Sequence, residues 1–209
     1  GSSSLIGWLI CGAGAMVLAA VFAGLGRFQP DADGLSDFTR RGLGRFLGYQ
    51  TAIAYWGVCL TGNVAVAIAG TGYLAFFFPA LAQPGSAAVS NLILIGVTTT
   101  AYAMGAKVAA RLGAATLVIG LLPLVLAIAA GAVAFSGDTF SASWNTSGVS
   151  LSQSIPAALV VIFWSFLGLE SAAALSQLVR NPGRDVGRAS VAGVGLALVV
   201  YVAATTAVF

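Results

Sequence analysis

The sequence has 209 residues, of which 59% are hydrophobic and 7% charged, with a formal net charge of +3. A water-soluble domain keeps about a quarter of its residues charged. A globule in water is therefore excluded, and the mean hydropathy of +0.98 is that of a chain with several membrane spans.

Six apolar segments follow in chain order, at residues 5–26, 46–78, 88–106, 113–135, 155–178 and 186–209. Each predicts a transmembrane helix, because a helix closes its own backbone hydrogen bonds, as lipid demands. The fold class read here is all-α, with six transmembrane helices in a single transmembrane domain. Pro123 does not veto its segment, since membrane helices tolerate proline.

The nine basic residues orient the helices. Arg27, Arg40, Arg41 and Arg45 lie between the first two segments. Lys107 and Arg111 lie between the third and fourth, and Arg180, Arg184 and Arg188 at the last join. The connections 80–87 and 136–154 have no Lys or Arg, so all nine fall on one side, which the positive-inside rule makes cytoplasmic. Both chain ends are then expected outside. The sequence opens on Gly1, without a basic region ahead of the first apolar stretch, and closes inside an apolar run. That pattern speaks against a signal peptide and is expected for a piece of a longer protein that lacks one earlier span.

Few residues are suited to chemistry. Histidine is absent, and Cys11 and Cys59 both sit within apolar runs, so neither a metal site nor a disulfide framework is expected. No cofactor is expected, no phosphate-cradling glycine loop is present, and no nucleophile–base pair suggests an enzyme. The clustered basic residues give no reason to expect nucleic acid as a partner. In the second segment Tyr55, Cys59 and Asn63 recur every fourth residue, on one helix face. They form either a substrate-facing polar stripe or one interhelical hydrogen bond with ordinary packing. Gly44 and Gly48 read as close packing at the entrance of that segment. The run Phe76-Phe77-Phe78 and Trp8 read as interface anchors.

Glu170 is the one acid inside a segment. Intramembrane carboxylates face a cavity or a polar partner, so Glu170 is read either as a proton-sensing or gating group on a transport path or as a structural acid bonded to a neighbouring helix. Just before it, Ser165 and Gly168 are compatible with a break in the helix, which would bare carbonyl oxygens toward a substrate ammonium. They are equally compatible with close helix packing.

At these residues the sequence resembles a known family. Arg40-Arg41-Gly42-Leu43-Gly44-Arg45-Phe46-Leu47-Gly48-Tyr49-Gln50-Thr51, followed by Tyr55-Trp56, Gly62-Asn63 and Gly72-Tyr73-Leu74, is similar to the third helix of the basic amino acid/polyamine antiporters of the amino acid–polyamine–organocation superfamily. Trp144-Asn145, Trp164-Ser165-Phe166-Leu167-Gly168-Leu169-Glu170-Ser171 and Asn181-Pro182-Gly183-Arg184 resemble its outer loop, sixth helix and next cytoplasmic loop. Asp33-Gly34-Leu35-Ser36-Asp37-Phe38 and Gly187-Arg188 depart from the family pattern.

The resemblance implies helices two to seven of a twelve-helix, LeuT-like fold built as a five-plus-five inverted repeat. It also implies a multi-pass protein of the bacterial inner membrane that exchanges a cationic amino acid for its decarboxylated amine, of the arginine–agmatine kind, by alternating access. Trp164, Ser165 and Leu167 would form the broken helix at the substrate. Asn63 would meet the distal cationic group, Tyr55 and Cys59 would line the cavity, and Glu170 would sense protons or gate. The partners implied are an amino acid or polyamine substrate, the lipid bilayer and, as an open alternative, a second copy in a homodimer. A proton-coupled amino-acid permease and a truncated membrane assembly protein without transport are the competing readings.

Overall fold

The computed structural model describes residues 1–171, 179 and 181–209. Among them every regular element is helical: α1 (Ser4–Phe28), α2 (Gly34–Leu43), α3 (Arg45–Phe77), a 3₁₀ turn (Pro79–Ala82), α4 (Pro84–Ala103), α5 (Ala106–Ala134), α6 (Gly137–Ala142), α7 (Leu151–Trp164) and α8 (Pro182–Ala207). Five of them, α1, α3, α4, α5 and α8, are long and apolar enough to cross a membrane. The 33 residues of α3 rise about 50 Å, more than the roughly 30 Å of a hydrocarbon core. By contrast α7 has only 14 residues, about 21 Å, and falls short by itself. The second half of the predicted fifth segment, 172–178, and Arg180 lie outside the described residues.

Two connections are shorter than the hydropathy pattern predicts. Lys107 and Arg111 stand in the first turns of α5, and the joint between α4 and α5 narrows to Met104 and Gly105. Gly105 supplies it with a φ of +109°, which a side chain would resist. Between α2 and α3 the joint is Gly44 alone, at φ +96°, and its N–H closes α2 on the Arg40 carbonyl at 3.1 Å. One turn later a Cβ on Gly48 would stand 2.6 Å from Arg40 Cβ. Gly48 thus serves close packing, as the sequence suggests, with α2 as the neighbour, whereas a Cβ on Gly44 would meet nothing within 4 Å and that glycine serves the turn.

The chain divides into two compact units, one of residues Gly1–Tyr49 and Leu122–Phe209 and the other of Gln50–Leu121. In the first unit α1 and α8 run antiparallel in close contact. Gly26 faces Val186, Ala23 faces Gly187, and a Cβ on Gly187 would fall 2.8 Å from Ala23 Cβ. The core beside this seam holds Cys11, Ala15, Ala19, Ile162, Phe166 and Val194. Small residues let the helix backbones approach, which is how membrane helices gain contact without a hydrophobic drive between them. Trp8 packs on this core, where its ring meets Phe166 of the turn after α7 and Tyr201 of α8.

A second, smaller cluster joins Ala32, Phe38 and Val186, with Phe22 and Leu25 against it. It seats α2 on the adjoining ends of α1 and α8. The polar side of α2 is organised by Asp37, whose carboxylate accepts Arg40 Nε at 2.9 Å, Arg41 Nη2 at 2.7 Å and the Asp33 N–H at 3.3 Å. Arg41 also reaches the Asp31 carbonyl at 3.1 Å. The Arg40 guanidinium above all, with Arg41 and the Asp33 amide, holds the Asp37 carboxyl down to about 2, against desolvation that works the other way. At the opposite end of α1, Ser2 and Ser3 donate their N–H groups to the Ser143 and Trp144 carbonyls at 2.9 and 3.0 Å, pinning the start of the helix to the loop after α6.

In the second unit, Thr71 on α3 is buried and donates its hydroxyl to Asn91 Oδ1 of α4 at 2.6 Å, with the Ser90 hydroxyl 3.1 Å away. This polar knot joins α3 and α4 within an otherwise apolar pair. Large apolar side chains face outward in both units: Val133 is 91% exposed and Phe76 84%. Water could not cover so much apolar surface, so lipid or neighbouring helices must.

Candidate functional site

α7 breaks where Ser165 and Gly168 make a break possible. The helix ends at Trp164, and the chain then proceeds through tight turns. Ser165, Phe166 and Leu167 donate their N–H groups three residues back, to the carbonyls of Ile162, Phe163 and Trp164 at 3.0, 3.0 and 3.1 Å. Such bonds tighten the last turn of a helix and end the regular ladder. Gly168 then reverses the backbone at φ +98°, a conformation left to glycine. Its N–H donates to Glu170 Oε2 at 3.1 Å, and Ser171 N–H closes on the Gly168 carbonyl at 2.9 Å.

Glu170 therefore does not sit in a continuous span, as the apolar run suggests. It lies half-buried in the non-helical stretch, where its carboxylate accepts from the backbone that the break has released. The side chains around it divide into two sides. Phe166 is 5% exposed and belongs to the core, whereas Trp164 and Leu167 are 56% and 52% exposed. Trp164, Ser165, Leu167 and Glu170 thus follow one another through the end of α7 and the non-helical stretch after it, with Trp164, Ser165 and Leu167 exposed.

The other predicted residues lie on α3 within the second unit. Tyr55, Cys59 and Asn63 follow one another along one helix face, with Cys59 and Asn63 exposed and Tyr55 half-buried. Asn63 Nδ2 donates to the Cys59 carbonyl at 2.8 Å. The bond fixes the side-chain amide so that its nitrogen faces its own helix and its oxygen is left as the acceptor. Ammonium and guanidinium groups have donors only, so an oxygen in that position suits a cation.

Three residues that shape the break were not among the expected site residues. Phe166 anchors it to the core, and Trp8 and Tyr201 pack against Phe166 from α1 and α8. A tyrosine in an apolar run carries a hydroxyl that must find a partner, and that signal would have drawn attention to Tyr201. Its partner is a backbone oxygen 36 positions away, which no local pattern reveals.

A family model described as Amino acid permease matches residues 1–209. The chain is 34% identical over 205 residues to the cadaverine/lysine antiporter of Escherichia coli (strain K12), a match covering 98% of this chain and 46% of that protein. It is 28% identical over 208 residues to the putrescine transporter PotE of the same strain, covering 100% of this chain and 47% of that protein. To the arginine/ornithine antiporter ArcD1 of Lactococcus lactis subsp. cremoris (strain MG1363) it is 28% identical over 224 residues, covering 95% of this chain and 42% of that protein. The chain spans about half the length of the curated relatives it matches.

Proposed function

The chain belongs to the amino acid permease family, and on that premise we propose that it is part of a secondary transporter of the bacterial inner membrane that exchanges a cationic amino acid for its decarboxylated amine. The observation that carries the reading is the break after Trp164. A membrane helix that gives up its hydrogen-bond ladder at membrane depth does so where the bared groups meet a polar ligand or a water-filled cavity. In this reading the backbone around Ser165 and Leu167 receives the substrate α-ammonium, and the exposed Trp164 ring covers the substrate. Asn63 Oδ1 is an acceptor suited to a distal ammonium or guanidinium, and Tyr55 and Cys59 share its face of α3. Glu170 couples the state of the break to protons or to gating.

The substrate class is supported by the relatives, whose names pair lysine with cadaverine and arginine with ornithine or specify putrescine. All of these carry a cationic nitrogen at the far end of an aliphatic chain. Exchange makes and breaks no covalent bond. It requires two access states of one site, reached by rocking of helix groups about the midplane.

The test is counterflow. Full-length protein in liposomes loaded with cadaverine, putrescine or agmatine is expected to take up labelled lysine, arginine or ornithine, and to take up little when the lumen holds no amine. Equal uptake into empty liposomes would replace exchange with a proton-coupled permease. Preference for neutral amino acids would remove the cationic substrate class.

A further inference from the structure

The break has a back as well as an open front, and the back is made of aromatic rings. Tyr201 of α8 stacks on Trp8 of α1 with ring centroids 4.7 Å apart and planes at 26°. Phe166 meets Tyr201 edge-on at 5.7 Å and 88°, and meets Trp8 at 6.1 Å and 70°. Three elements of one compact unit thus contribute one ring each. The Tyr201 hydroxyl rises from this box and donates to the Ser165 carbonyl at 3.3 Å. Because α7 has ended, that carbonyl has lost its place in a helical ladder and needs a donor from elsewhere. The hydroxyl, in turn, is the polar tip of an otherwise apolar cluster and needs an acceptor.

We propose that Tyr201 is a positioning residue of the transport site: its hydroxyl occupies the Ser165 carbonyl and its ring clamps Phe166, so that the turn keeps its open side in a fixed geometry toward substrate. The assignment rests on the transport reading above. Its consequence is energetic preorganisation. A turn held in place before substrate arrives does not have to be ordered at the expense of binding. Removing the hydroxyl frees the carbonyl and loosens the turn without opening a cavity, since phenylalanine keeps the ring. The loss then falls on substrate affinity more than on the folded state.

The experiment uses the full-length protein in liposomes, with labelled lysine exchanged against internal cadaverine. Tyr201→Phe is expected to raise KM about fivefold, the scale of one hydrogen bond. The maximal exchange rate should stay within about twofold, and thermal unfolding in detergent should be unchanged. Incorporating 4-aminophenylalanine at 201 restores a para N–H donor and is expected to bring KM back. If Tyr201→Phe does not accumulate, 4-methylphenylalanine, which has the ring and bulk but no donor, takes its place with the same expectation. An unchanged KM in the donor-less variant, or no recovery with the amino variant, overturns the assignment while leaving transport intact. A wild-type protein that exchanges neither amino acids nor amines overturns the transport reading and this assignment with it.

Discussion

Asn63 is a side chain that is tied and still chemically open. One N–H of its amide is spent on the Cys59 carbonyl, and among the described residues its oxygen accepts no bond. In the proposed role, Asn63→Ala removes an acceptor for a charged donor, a bond worth more than a neutral one. KM for lysine or arginine should rise about tenfold or more, while exchange of a neutral amino acid, if measurable, stays within about twofold. Equal effects on both would remove Asn63 from distal recognition. Glu170 poses a different question, because Gly168 N–H already gives it a structural duty. Glu170→Gln keeps an oxygen for that N–H and removes the ionisable carboxyl. The pH profile of exchange is expected to change, and superimposable profiles would leave Glu170 with the structural duty alone. At this scale the spacing along one helix was legible in the sequence, and Tyr55, Cys59 and Asn63 do follow one face of α3. It was silent on Tyr201, whose meaning depends on a carbonyl that only tertiary packing brings near.

At the scale of elements, most of the apolar runs coincide with helices, and glycines at positive φ set two of the joints, after α2 and after α4. Hydropathy merges neighbouring helices or widens the gaps between them, because it averages over windows. A single glycine at positive φ is too local for such an average, which is why the joints at Gly44 and Gly105 came out narrower than predicted. The loop between the first two segments also hid a helix of its own, α2, held by Asp37. Its carboxyl is lower in the folded protein than the ordinary value near 4, so the folded state favours the charged form. The stabilisation is complete above about pH 4 and is lost as pH falls toward 2. Asp37→Asn should therefore lower the unfolding temperature at pH 7, and the gap to wild type should shrink as the pH is taken down through that window. A gap independent of pH would mean that the ion pairs with Arg40 and Arg41 do not hold α2. The α1–α8 seam makes a separate demand. A side chain at Gly187 collides with Ala23, including its backbone Cα at 3.2 Å. Gly187→Leu is expected to destabilise by about 1–3 kcal/mol, as overpacking does, and an unchanged unfolding temperature would show that the seam relaxes.

For the whole molecule, the distribution of charge makes a claim that neither the helices nor the break makes. All nine Lys and Arg residues fall in or beside three connections, and the other two have none. In the first unit the packing joins several of these positions: α2, with Arg40 and Arg41, sits on the end of α1 that bears Arg27 and on the start of α8 that bears Arg184 and Arg188. Translocating such a cluster is costly, so this end is expected to face the cytoplasm, and the loop after α6, pinned to the start of α1, the outside. A membrane-impermeant maleimide can decide it in a full-length background with Cys11 and Cys59 replaced. Both reporter positions are exposed, Asp31 beside α2 and Val149 in the loop after α6. Val149→Cys should label in intact cells, and Asp31→Cys only after the membrane is made permeable. The reverse pattern would invert the protein in the membrane. Labelling of both from outside would mean that the two loops share a face, which an odd number of crossings between them cannot give.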